Sequence, residues 1–148
     1  MGSEIITPVV VLDTNVVVSG LLKADHSPAR VLSAVLRTDV TIALDARILT
    51  EYRDVLLRPR FGFNPTLVEF VLEALSRDAI AVATLPWALL LPDPDDCRFL
   101  EVASSVQPYA VIVTGNSRHF PVASCAGVRV ETPGQYLQQL GKKSDLYT

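Results

Sequence analysis

The stretch Pro8-Val9-Val10-Val11-Leu12-Asp13-Thr14-Asn15 decides the fold. Its apolar run is too short for a helix and too continuous for a half-exposed strand. It therefore reads as a strand buried on both faces, the habit of parallel sheets. Asp13 closes the run. An acid at the carboxyl end of such a strand lies where open α/β folds place their ligands.

Working outward, strand and helix patterns alternate along the chain. Strands are expected over Pro8–Asp13, Val40–Leu44, Ile80–Ala83, Ala110–Thr114 and Val128–Glu131. Helices are expected over Val16–Lys23, Pro28–Arg37, Ala46–Leu57, Pro65–Arg77, Asp95–Val106 and Pro133–Leu140. This order predicts an α/β fold, a parallel sheet of about five strands with helices on both faces. Pro28, Pro65 and Pro133 stand in first turns, where a missing N–H costs nothing. The Leu- and Pro-rich segment Thr84–Pro94 is the longest irregular connection, and Gly141–Thr148 is expected to be a flexible polar tail. The reading is one domain over residues 1–148, with its core at about 8–140.

Composition narrows the class. Apolar residues make up 49% of the 148, which argues against disorder. No apolar stretch is long enough to span a bilayer. Met1-Gly2-Ser3-Glu4 has neither the basic region nor the apolar segment of a secretory signal, so a cytoplasmic location is expected. Cys97 and Cys125 lack metal-type spacing and read as reduced, partly buried side chains. The net charge of −3 excludes a general electrostatic nucleic-acid binder. Ten of the 13 basic residues are arginine, the side chain suited to forking onto phosphate. Arg53, Arg58 and Arg60 read foremost as a solvated basic edge, with RNA or partner binding as the alternative.

Two acids fall on the wrong faces of their helices. Ile48, Tyr52, Val55 and Leu56 define an apolar stripe, and Glu51 borders it while Asp54 points away. A carboxylate leaning toward a core costs several kcal/mol unless paired or coordinated. Glu51 therefore either pairs with a nearby arginine or binds a cation. In Pro92-Asp93-Pro94-Asp95-Asp96-Cys97-Arg98-Phe99-Leu100, the spacing of Phe99, Leu100 and Ala103 extends back to Asp96, which puts it on the buried face. Asp93 reads as a helix N-cap, and Asp95 as either a first-turn acid or a contributor to the site. A last buried strand ends in Val113-Thr114-Gly115-Asn116, where Thr114 and Asn116 either form a turn or hold a water or metal. His119 reads as a satisfied surface histidine.

If these elements converge, Asp13, Glu51 and Asp96 surround one point above the sheet. Oxygen ligands of this kind suit Mg²⁺ or Mn²⁺. On a phosphodiester, two such ions about 3.5–4 Å apart activate water and stabilise the leaving oxygen. No nucleophile elbow, Gly-rich phosphate loop or Cys–His pair competes with this reading. Asp13 as a phospho-acceptor would want a lysine beyond a later strand, and Lys23, Lys142 and Lys143 are not in such a position.

The segments Val-Leu-Asp13-Thr-Asn-Val, Glu51-Tyr-Arg-Asp-Val-Leu-Leu-Arg-Pro-Arg, Asp-Pro-Asp-Asp96 and Val-Thr-Gly-Asn116-Ser-Arg-His-Phe-Pro, in this order, resemble PIN-domain proteins. Within that family the chain looks like the toxins of prokaryotic toxin–antitoxin pairs related to the VapC group. The resemblance covers roughly residues 8–140. It implies a three-layer α/β/α PIN-like fold and a metal-dependent endoribonuclease. Asp13, Glu51 and Asp96 would be the catalytic metal ligands, supported by Thr14, Asn15 and Thr114. It also implies a cognate antitoxin over the acidic groove, and a homodimer. Cleavage would leave a 5′-phosphate and a 3′-hydroxyl.

One departure stands out. PIN nucleases often carry an acid where this chain has Asn116. An amide weakens a second metal site, yet its oxygen can still ligate or orient water. Asp93 and Asp95 are alternative sources of the missing charge. The rival expectation is a catalytically weak PIN domain that binds RNA or protein.

Overall fold

The structure is a computed structural model that describes residues 7–84, 86 and 91–146. Five parallel strands, β1 (Val9–Leu12), β2 (Thr41–Leu44), β3 (Ile80–Ala81), β4 (Val111–Val113) and β5 (Val130–Glu131), lie in the order β3-β2-β1-β4-β5. Among the described residues six α-helices accompany them: α1 (Thr14–Leu22), α2 (Ser27–Leu36), α3 (Ala46–Leu56), α4 (Pro65–Arg77), α5 (Cys97–Ser104) and α6 (Pro133–Leu146). This is the α/β architecture expected from the alternation of patterns, and it agrees with the PIN-like fold that the resemblance implies.

The opening stretch behaves as its composition requires. Val10, Val11 and Leu12 are fully buried, and β1 pairs with β2 on one side and β4 on the other. From β1 the chain moves outward to β2 and β3, then returns past β1 to lay down β4 and β5. With this strand order, the right-handed rule for crossovers assigns α1 to α4 to one face and α5 to the other. α5 packs across β1, β2 and β4, while α6 lies against α2. The order reverses between β1 and β4, which creates a topological switch point at their carboxyl ends. Asp13 sits there, its main-chain N–H extending the ladder to Val113 O at 3.0 Å.

Several boundaries differ from the sequence expectation. α1 starts at Thr14, two residues early, because Asp13 occupies the N-cap. The expected helix Asp95–Val106 divides into a 3₁₀ turn, Pro94–Asp96, and α5. Asp93 caps the turn through its carboxylate, which accepts from the Asp95 N–H at 3.0 Å. α5 ends where the hydroxyls of Ser104 and Ser105 donate to the Glu101 carbonyl and compete for its helical partner. The strands are shorter than expected, with β3 reduced to two residues at the sheet edge.

The polar tail is a correction, since α6 continues through Gly141 to Leu146. One glycine costs a helix only about 1 kcal/mol, and Lys142 near its carboxyl end suits the dipole. Within the irregular connection Thr84–Pro94, residue 85 and residues 87–90 lie outside the described residues, as do 1–6 and 147–148. Among the described residues no helix is long and apolar enough to cross a membrane. Neither cysteine forms a disulfide among the described residues, and Cys97 is half-buried and Cys125 buried.

Candidate active site

Two acids reach the switch point from opposite directions. Asp13, at the end of β1, is only 5% exposed although its side chain makes no capping bond to α1. Instead its Oδ2 accepts the hydroxyl of Thr114 at 2.6 Å, across the gap between β1 and β4. Thr114 is fully buried and its own Oγ1 accepts the Asn116 N–H at 3.0 Å. Burial pushes the Asp13 carboxyl above its ordinary range. The Thr114 hydroxyl, the N–H groups of Thr14 and Asn15 and the nearby His119 oppose that shift.

Asp96 arrives from the start of α5, 9% exposed, as its helical phase required. Burial is the first cause that lifts its pKa to about 6, followed by the negative charges of Asp13 and Asp93. Glu51 adds to the lift, and His119 works against it. Asp96 Oδ2 lies 3.2 Å from His119 Nδ1, yet it is a buried oxygen with no hydrogen-bond partner. Contact without alignment leaves its lone pair open.

Glu51 is half-buried on α3 and already engaged. One carboxylate oxygen accepts the hydroxyl of Thr14, and the other lies 3.4 Å from the Arg98 guanidinium. Arg98 also reaches Asp95 at 3.6 Å and donates from Nε to the Asp95 carbonyl at 2.8 Å. Asp95 and Asn15 are exposed. Asn116 turns its amide nitrogen to His119 Nε2, 3.0 Å away.

Asp13, Asp96 and Glu51 are thus near enough for Asp96 to feel the other two charges, and Asp93 adds a fourth. Thr14 and Thr114 each hold one of the acids, in supporting positions. Arg53 is spent elsewhere, forked onto Glu69 of α4 at 2.9 and 3.2 Å. Arg60 lies 4.7 Å above the Phe61 ring, and Arg58 is exposed beside it. Sequence reasoning missed Arg98 and the inward engagement of His119. The only hint was that Arg98 lies in the run that carries Asp96, and His119 in the segment that carries Asn116.

Among the described residues no three His, Cys, Asp or Glu side chains form a ready cation cage. The donor set nevertheless suits a hard cation in kind, being carboxylate oxygens with one open lone pair on Asp96. Crowded like charges raise carboxyl pKa values, and a bound cation relieves that crowding.

A family model described as PIN domain matches residues 9–118. The chain belongs to the PIN-domain family. That span runs from β1 through the turn that carries Asn116, so every acid of the candidate site lies inside it. No curated protein matches the chain. PIN domains are generally nucleases, and they typically use divalent metal ions.

Proposed function

We propose that the protein is a Mg²⁺- or Mn²⁺-dependent endoribonuclease, the toxin of a toxin–antitoxin pair. The observation that carries this reading is Asp96 Oδ2, a buried oxygen without a hydrogen-bond partner that feels the Asp13 charge across the switch point. Asp13, Asp96 and Glu51 would hold the ion or ions. What the cation supplies when bound is positive charge at the scissile phosphate and a lower pKa for the attacking water. Thr114 fixes the rotamer of Asp13, and Thr14 orients Glu51. The apolar packing of β1 and α5 beneath the acids excludes water from one side, which strengthens every charge interaction above it.

RNA is bound through its phosphates, with Arg58 and Arg60 exposed and available for the backbone or for an antitoxin. A cytoplasmic homodimer held inactive by an antitoxin over the acidic groove completes the reading, on the strength of the four motifs. Substituting Asp13→Asn tests the chemistry. Divalent-dependent cleavage of RNA should disappear while the unfolding transition is kept, and full cleavage by the variant would defeat the assignment. The toxin role predicts growth arrest on expression, relieved by the product of a neighbouring small reading frame.

A second reading, a catalytically weak PIN domain that binds RNA or protein, is favoured by the neutral amide at Asn116 and by the Glu51–Arg98 pair. Titration with Mn²⁺ by calorimetry separates the two. Specific uptake supports the nuclease, and none supports the binding module.

A further inference from the structure

We propose that His119 is a positioning residue for Asp96 and that Asn116 sets the tautomer in which it works. This rests on reading Asp96 as a metal ligand.

The segment Thr114–Phe120 is built to present these two side chains together. After β4 the Asn116 N–H folds back onto Thr114 Oγ1, and a 3₁₀ turn follows over Ser117–His119. With three residues per turn, positions three apart eclipse, so Asn116 and His119 lie on one side. Phe120 then buries its ring edge-on against Phe99 of α5, with centroids 6.5 Å apart. Phe99 is three residues beyond Asp96. The turn is therefore anchored to the helix whose first residues carry the acid.

The hydrogen bonding decides the tautomer. An amide nitrogen only donates, so Nε2 of His119, 3.0 Å from Asn116 Nδ2, must accept. The neutral ring then carries its proton on Nδ1, the nitrogen 3.2 Å from Asp96 Oδ2. That N–H steers the carboxylate from outside hydrogen-bonding alignment and leaves the lone pair open. At its other end the same segment holds Asp13 through Thr114. One turn thus sets two acids from opposite edges of the switch point.

The identity of residue 116 follows. An aspartate there would only accept, and so would call for a proton on Nε2. The donating amide of Asn116 is what leaves Nε2 bare and selects the Nδ1–H form that faces Asp96. Its part is to orient a neighbour that touches a ligand.

The test uses the full chain, made metal-free and labelled with ¹⁵N at histidine. His26 and His119 are its two histidines, so His26→Gln leaves a single ring to observe. The Nδ1–H tautomer with a bare Nε2 is expected at His119, and Nε2 should become protonated on Asn116→Asp. An Nε2–H ring in the parent, or no change on Asn116→Asp, overturns the proposal. Calorimetry with Mn²⁺ supplies the second arm. His119→Asn puts an amide N–H where Nδ1–H stood and should keep the parent affinity, whereas His119→Ala should lose about tenfold or more. Equal affinities for those two variants, with matched unfolding midpoints, would also overturn it. A parent that binds no Mn²⁺ defeats the metal-site reading instead, and the tautomer arm still decides the positioning contact.

Discussion

The phenol of Tyr52 donates to the main-chain oxygen of Leu12 at 2.5 Å, and each partner is the immediate neighbour of a site acid. Leu12 precedes Asp13, and Tyr52 follows Glu51. One buried bond thus fixes the spacing between the strand end and the helix that supply two of the three carboxylates. Burial, with the charges of Asp13 and Glu51 adding to it, holds the phenol well above its ordinary pKa, so it remains a donor. Tyr52→Phe removes the donor and leaves a buried carbonyl short of one partner, at a cost of about 1–2 kcal/mol. Urea unfolding of the metal-free protein should show that loss, and Mn²⁺ affinity should fall with it. An unchanged midpoint would mean that the hydroxyl does not tie α3 to β1.

Asp96 makes the site a source of instability at neutral pH. Its pKa rises from the usual 3.8 to about 6, and that of Asp13 is raised as well. In that window the folded protein keeps protons that the unfolded chain gives up. The stabilisation is therefore complete below the unfolded value and is lost as pH climbs through the folded one. Asp96→Asn imitates the protonated acid. It should match the parent near pH 3 and exceed it increasingly toward pH 7, each about a unit outside the window. Chemical unfolding in a chelator across that range reads the difference. A gap that stays constant with pH would show that Asp96 does not titrate in the window.

How far the sequence reached is clearest on these helices. The run ending at Leu12 was legible because burial on both faces needs continuous apolar residues, and the fold places it at the centre of the sheet. Helical phase separated Asp96, which is buried, from Asp54, which is exposed, and left Glu51 half-buried between them. Asp93 capping its turn followed from the Asp-Pro pair. Phase reports which way a side chain faces, but not what meets it there. The contact of His119 with Asp96 depends on a 3₁₀ turn anchored by Phe99 and Phe120, a tertiary packing without a periodic pattern. Arg98 meets Glu51 from another helix for the same kind of reason. α6 runs past the expected Leu140 because the polar residues after it carry no apolar periodicity yet still continue the helix.

Arg98 lies 3.4 Å from Glu51, a proposed metal ligand, and is about a quarter exposed. A guanidinium there neutralises the carboxylate and competes with a divalent ion for the same oxygens. Arg98→Gln keeps a polar chain of similar reach and removes the charge. Because a partly exposed pair is worth at most about 1 kcal/mol, Mn²⁺ affinity should rise no more than about fivefold. Metal-free stability should fall by a similarly small amount, since Glu51 keeps the hydroxyl of Thr14. Calorimetry and urea unfolding on the same variant measure both. The opposite sign, a weaker Mn²⁺ site after Arg98→Gln, would show that the guanidinium holds Glu51 in its binding orientation and does not compete for it.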